Sequence, residues 1–165
     1  MQLEDFYDYK NQFMEDILTN EAIVRLIDDN TSVEDAASLI YSQVFPYEYV
    51  DETVQEGKTF ICFDVDVQKS QGSTYLFPII YVWVFTHKSL LRLPNGGGVR
   101  TDRLVSEIAK AINGSRQYGL GELDLYAVKR YAPMTDFQGK VMTFYTKEFN
   151  RQYNKDKYTP SNRKA

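Results

Sequence analysis

The 165-residue chain has one cysteine, one histidine, one tryptophan and five prolines. A lone Cys62 cannot close an internal disulfide, so a disulfide-stapled secreted scaffold is excluded. Without a CxxC pair or a Cys/His cluster there is no ligand set for structural zinc. Positive charge is also in deficit. The 19 Lys+Arg against 23 Asp+Glu leave a net charge of −4. A coat for duplex DNA needs a basic face, because phosphate neutralisation drives its affinity. No apolar run reaches the ~18 residues of a membrane-crossing helix. The opening Met1-Gln2-Leu3-Glu4-Asp5 is acidic and lacks the cationic start of a secretory signal. Residence in a cytoplasm is therefore expected. The chain shows neither an internal repeat nor a low-complexity segment.

Aromatic residues are the surplus. They make up 15% of the chain, with 13 Tyr and 10 Phe. Tyrosine joins an apolar body to a polar tip and suits half-buried sheet faces and protein interfaces. Apolar residues at 43% and charged residues at 25% are ordinary for a globular protein. A chain of this size forms one domain and buries roughly 70% of its unfolded surface.

Periodicity orders the elements. Phe6, Tyr9, Phe13 and Ile17 recur at helical spacing and predict a helix over about Leu3 to Leu18. Asn20 is placed to cap a second helix, Glu21 to about Ile27. A third helical stretch is expected from Ser32, ending at Phe45-Pro46. Pro46 to Lys58 reads as an acidic loop. Thr59 to Val67 ends in strict alternation, with Phe63, Val65 and Val67 on one face and Asp64 and Asp66 on the other. Gly72 marks a hairpin connection. Leu76 to His87, rich in β-branched and aromatic residues, is expected to be a central strand. Leu93 to Gly98 breaks the chain before a helix over about Thr101 to Ile112. Strands are expected at Glu122 to Val128 and Lys140 to Thr146, with Ala132 to Gly139 as a loop. The fold expectation is α+β. It has a mostly antiparallel sheet of about four strands covered by one amphipathic helix, and an N-terminal helical region. Residues 1–149 form the domain, with the helical part at about 1–45. Residues 150–165 form a polar, basic tail.

Chemistry candidates are sparse. Asp64 and Asp66 share a strand face, as metal-holding carboxylates of nucleases do. The nuclease pattern wants a lysine two residues after an acid, and Lys69 follows Asp66 by three, so the register fails. A solvent-facing edge with protective charges explains the pair more simply. His87 and Cys62 lie on adjacent strands, without a nucleophile-elbow pattern to support a catalytic pair. Gly96-Gly97-Gly98 precedes a helix, but both the P-loop spacing and GxGxxG are absent. Gly119-Leu120-Gly121 fits a tight turn. No catalytic group, metal site or cofactor is expected, and the chain is expected not to be an enzyme. An acidic, aromatic-rich domain with loops and charged arms has the profile of an assembly component.

The order of several short motifs resembles a family of tailed-phage neck proteins. Asn20, Ile23, Leu26 and Ile27 match its N-x-x-I-x-x-L-I segment after a helix. A strand like Phe77 to Phe85, then His87, follows. Next come Arg100-Thr101-Asp102, then Gly119-x-Gly121-Glu122-Leu123, and last Phe137-Gln138-Gly139-Lys140-Val141-Met142-Thr143-Phe144-Tyr145. The resemblance spans about residues 12–149. The broader group it is similar to is the tail-terminator and tail-completion proteins. It implies a virion protein of the neck, assembled in the host cytoplasm. It also implies a ring, a hexamer in that group, that caps the tail tube and meets the head connector or stopper. DNA would pass without specific binding, and no membrane is involved. The helical region at about 3–45 exceeds a minimal terminator.

A cyclic ring closes through heterologous interfaces. Arg100, Asp102 and Arg103 are the expected intersubunit ion-pair residues. Asp64, Asp66, Glu48, Asp51 and Glu52 are the expected acidic surface or lumen. Two other classes stand beside this reading. One is a small metal-dependent nuclease built on Asp64 and Asp66. The other is a module that stacks single-stranded nucleic acid on open-face aromatics.

Overall fold

The computed structural model describes residues 3–49, 57–69 and 74–150. Helix α1 spans Asp5–Leu18 and α2 spans Glu21–Ile27. A 3₁₀ turn, Ala36–Leu39, leads to the two-residue strand β1, Val44–Phe45. Strands β2, Thr59–Lys69, and β3, Tyr75–His87, follow. Helix α3 is Arg100–Ile112. Strands β4, Asp124–Met134, β5, Phe137–Tyr145, and β6, Glu148–Phe149, complete the order.

The sheet corrects the sequence expectation. Among the described residues it has six strands, not about four, in the order β1-β2-β3-β5-β4, with β6 pairing β3 beyond the end of β5. It is mixed, because β1 runs parallel to β2 through Val44↔Ile61 and Phe45↔Cys62. The remaining pairings are antiparallel. Three helices cover one face, not one helix. Tyr9, Phe13 and Ile17 of α1, Ile23, Val24 and Ile27 of α2, and Leu104, Ile108 and Ile112 of α3 share one core with Phe63, Ile80, Val82 and Phe144. The N-terminal helices are therefore part of the domain's core. The Phe13 and Phe63 rings lie 4.4 Å apart. Truncating such a ring costs about 3–5 kcal/mol.

Local chemistry sets the boundaries. Asn20 Oδ1 accepts from Ile23 N at 3.3 Å and caps α2. The expected third helical stretch shortens to the single 3₁₀ turn Ala36–Leu39. Ser32 and Asp35 bond within a turn, and Tyr41 adopts φ 58, a left-handed conformation that ends any helical run. The expected loop at 132–139 is mostly strand. β4 and β5 form a hairpin whose turn contains Thr135 and Asp136. Pro133 is tolerated because β4 is the outermost strand.

Alternation splits each strand between two faces. Ile61, Phe63 and Val65 point to the helices. Phe60 and Cys62 point away, into a smaller core with Phe45, Phe85 and Phe137. Gly139 sits opposite Phe85 in the centre of the sheet. A Cβ there would collide with the Val84 carbonyl and lie 2.6 Å from Phe85 Cα.

Candidate functional site

Arg100 opens α3 and is buried at 5% exposure. Its Nε donates to Leu90 O at 2.9 Å and its Nη1 to Leu26 O at 2.7 Å. Leu26 O belongs to the last turn of α2, where carbonyls lack helical partners. The guanidinium thus ties α2 to the loop before α3. The Asp29 carboxylate is 3.8 Å away and 68% exposed, a weak partner. Within its own chain the Arg100 charge is turned inward onto backbone carbonyls. Asp102 and Arg103 are exposed on α3. Asp102 pairs with Lys140 at 3.5 Å, while Arg103 has no side-chain partner among the described residues.

The acidic residues separate in the same way. Asp64 and Asp66 lie on the sheet face away from the helices, opposite Tyr81 and Ile79 in register. Lys10 of α1 reaches Asp64 at 2.7 Å and also donates to Pro46 O at 2.8 Å. Asp66 is exposed and has no partner among the described residues. Glu48 accepts from the Tyr131 hydroxyl at 3.0 Å. Burial, and then that contact, push the Tyr131 phenol above its ordinary range. Asp51 and Glu52 lie outside the described residues. Among the described residues no group of three His, Cys, Asp or Glu side chains converges as a metal site.

The other sequence candidates resolve into structural roles. Cys62 pairs with Trp83, and His87 lies four residues further along β3, a separation of roughly 14 Å. They form no dyad. The Cys62 thiol donates to Tyr49 O at 3.7 Å, and burial pushes its pKa up to about 12. His87 Nδ1 accepts from Ser89 N at 3.2 Å and lies 2.7 Å from Ser89 Oγ, capping a 3₁₀ turn. The glycines at 96–98 close a loop in which Leu93 N donates to Gly98 O at 2.9 Å. Among the described residues the cleft beside them is lined by Leu91, Leu93, Val99 and Gln138, with Arg92 as its one cation. That lining is too apolar for a phosphate cradle. Gly119 holds φ 111 at a turn where a Cβ would lie 2.6 Å from Lys147 O.

The most distinctive surface is the helix-free face of the sheet. Residues 46–49 cross one end of it, with Tyr49 stacked on Phe45 at 4.3 Å. Beyond them Tyr81 stacks on Trp83 at 5.8 Å, and Tyr126 meets Tyr145 edge-on at 4.8 Å. Tyr126 is 71% exposed. Asp64 and Asp66 border this aromatic floor along β2, and Lys129 borders it along β4. Carboxylates on the floor oppose a phosphate backbone, which disfavours the nucleic-acid platform. Alternation in β2 hinted at this face. The matching positions in β4 were obscured by a register shift between Leu125 and Ala127.

A family model described as YomW matches residues 20–146. The chain belongs to the YomW family. The family bears the name of a phage-derived Bacillus prophage protein, so the chain is phage-related. The YomW match includes α2, α3 and strands β1 to β5, and it begins after α1. No curated protein matches the chain.

Proposed function

We propose that the protein is a structural component of a phage neck. In this reading copies form a ring that terminates the tail tube and joins it to the head connector. Its role is mechanical and not catalytic. The match of residues 20–146 to a phage-derived family carries the reading. The surface is compatible with it. The described candidates divide between the start of α3 and the helix-free face, and that face and the sheet edges offer docking area. Asp64, Asp66 and Glu48 all project on the helix-free face. A face of that charge turned to a central channel would let DNA slide without adhering.

The genetic test disrupts the coding sequence in the phage and images the particles. Heads parted from tails, or tails of uncontrolled length, are expected, with the protein absent from wild-type heads and present in wild-type necks by gold labelling. Intact particles of normal tail length would refute the reading.

A further inference from the structure

The two long borders of the sheet are complementary. On one side, among the described residues, β1 pairs with Ile61 and Cys62 of β2 and no further. Lys10 crosses the border beside Asp64. Among the described residues the stretch from Val65 to Lys69 has a neighbour on one side only. On the other side Asn113 to Ser115 run along the start of β4. There Gly114 N donates to Leu123 O, Leu123 N to Ser115 O, and Leu125 N to Asn113 Oδ1. From Tyr126 onward β4 has no strand neighbour on its outer side among the described residues. Open edges of this length invite pairing with another strand.

Hydrogen-bond parity shows which groups point out. Ile61 N donates outward to Gln43 O, so by alternation the N–H and C=O of Val67 also point outward. On β5, Thr146 N donates to Pro78 O, which turns the Phe144 and Met142 backbone toward β3 and away from β4. Val128, opposite Met142, therefore turns its own N–H and C=O to the open side.

We infer that β4 of one copy pairs antiparallel with β2 of the next, setting Lys129 opposite Asp66 and Val128 opposite Val67. This deepens the ring reading and rests on it for the association of copies. The direction follows from topology. β2 and β4 run opposite ways within the sheet, so a neighbour rotated about an axis along the strands meets β4 antiparallel. Lys129 and Asp66 share the helix-free face, and neither has a side-chain partner within its own chain among the described residues. Val128 is 40% exposed, and Val67 is half-buried on the helix face. The pairing without stagger is excluded. It would set Asp124 beside Asp66 and drive the neighbour's β2 into Asn113 to Ser115. Stagger between strands is also what closing a sheet into a barrel requires. Such a contact joins opposite borders, so it is heterologous and repeats around an axis.

The test uses the full-length chain and follows its mass against concentration by light scattering. Lys129→Glu and Asp66→Lys should each raise the concentration for half-association by about tenfold, the size of a cross-edge attraction lost together with the like-charge repulsion that replaces it. The double variant should return to within about threefold of wild type. Neither position is buried, so the monomer fold persists, and circular dichroism verifies it. Amide exchange gives a second readout, since Val67 and Val128 should exchange at least about tenfold more slowly in the oligomer. A closed oligomer indifferent to both reversals and without protection at those amides would overturn the edge pairing and leave the ring reading standing. A wild-type chain that stays monomeric at its highest soluble concentration, alone and with the tail-tube protein, would also overturn it. Charge-swap rescue in an oligomer that particle imaging does not find in the neck would support the pairing and defeat the neck assignment.

Discussion

Replacing Arg100 with methionine keeps most of the side-chain volume and removes its donors. The carbonyls of Leu26 and Leu90 lose bonds of 2.7 and 2.9 Å in a site where the residue is 5% exposed. Charge-assisted bonds to carbonyls contribute about 1.5–3 kcal/mol each. Relief of the buried cation's desolvation returns part of that. A net loss of about 3 kcal/mol is expected, which lowers Tm by roughly 6–12 °C in a domain of this size. Lysine, with a point charge that can serve one carbonyl well, should lose about half as much. Asp29→Asn should change stability by less than about 0.5 kcal/mol, because that carboxylate is exposed. Urea unfolding followed by circular dichroism, at protein concentrations low enough to be monomeric, measures all three. An Arg100→Met variant within about 0.5 kcal/mol of wild type as a monomer, yet impaired in assembly, would refute the internal staple. It would return Arg100 to an intersubunit role.

Three further outcomes follow from the packing. Gly139→Ala pushes a Cβ into the backbone of β3 at Val84 and Phe85, where no side chain can yield. It should destabilise by about 3 kcal/mol or more, read as a lower urea midpoint. Tyr9 and Tyr118 have phenols held above their ordinary value of 10.0, first by burial and then by their bonds to Glu148 and Asp16. Their folded-state values are raised, so their contribution is complete below pH ~10 and is lost as pH climbs toward those values. Unfolding should therefore begin in alkali, with the absorbance of these phenolates appearing together with loss of structure; early, independent ionisation of every tyrosine would contradict this. The Cys62 thiol, 0% exposed and with its pKa raised to about 12 by burial, should resist a thiol reagent in the native protein and react promptly in denaturant.

Long periodic elements were legible in the sequence. The spacing of Phe6, Tyr9, Phe13 and Ile17 gave α1 to within two residues at its start, and the β-branched run of β3 read correctly. Strict alternation also placed Asp64 and Asp66 opposite the core face. Three failures have distinct causes. β1 has two residues, too few for a periodic signal, so both it and the mixed character of the sheet went unseen. The turn at Ala36–Leu39 carries helix-compatible residues, and it is stopped by backbone geometry, the extended Ile40 (ψ 129) followed by Tyr41 at positive φ. Pro133 and Gly139 read as breakers, yet one tolerates an edge strand and the other is required by close strand approach. The internal role of Arg100 is illegible in the sequence for a different reason. An arginine beside Asp102 and Arg103 looks like part of a surface charge cluster. Its actual acceptors are backbone carbonyls far away in sequence, and no side-chain pattern encodes those.

The central claim is that copies of this chain close into a ring at the end of a tail tube. It is tested most directly by the mass of the full-length chain, measured by light scattering after size exclusion, alone and then with the tail-tube protein of the same phage. The account predicts a closed oligomer, either free or formed once the tube is present. A monomer under both conditions would contradict it.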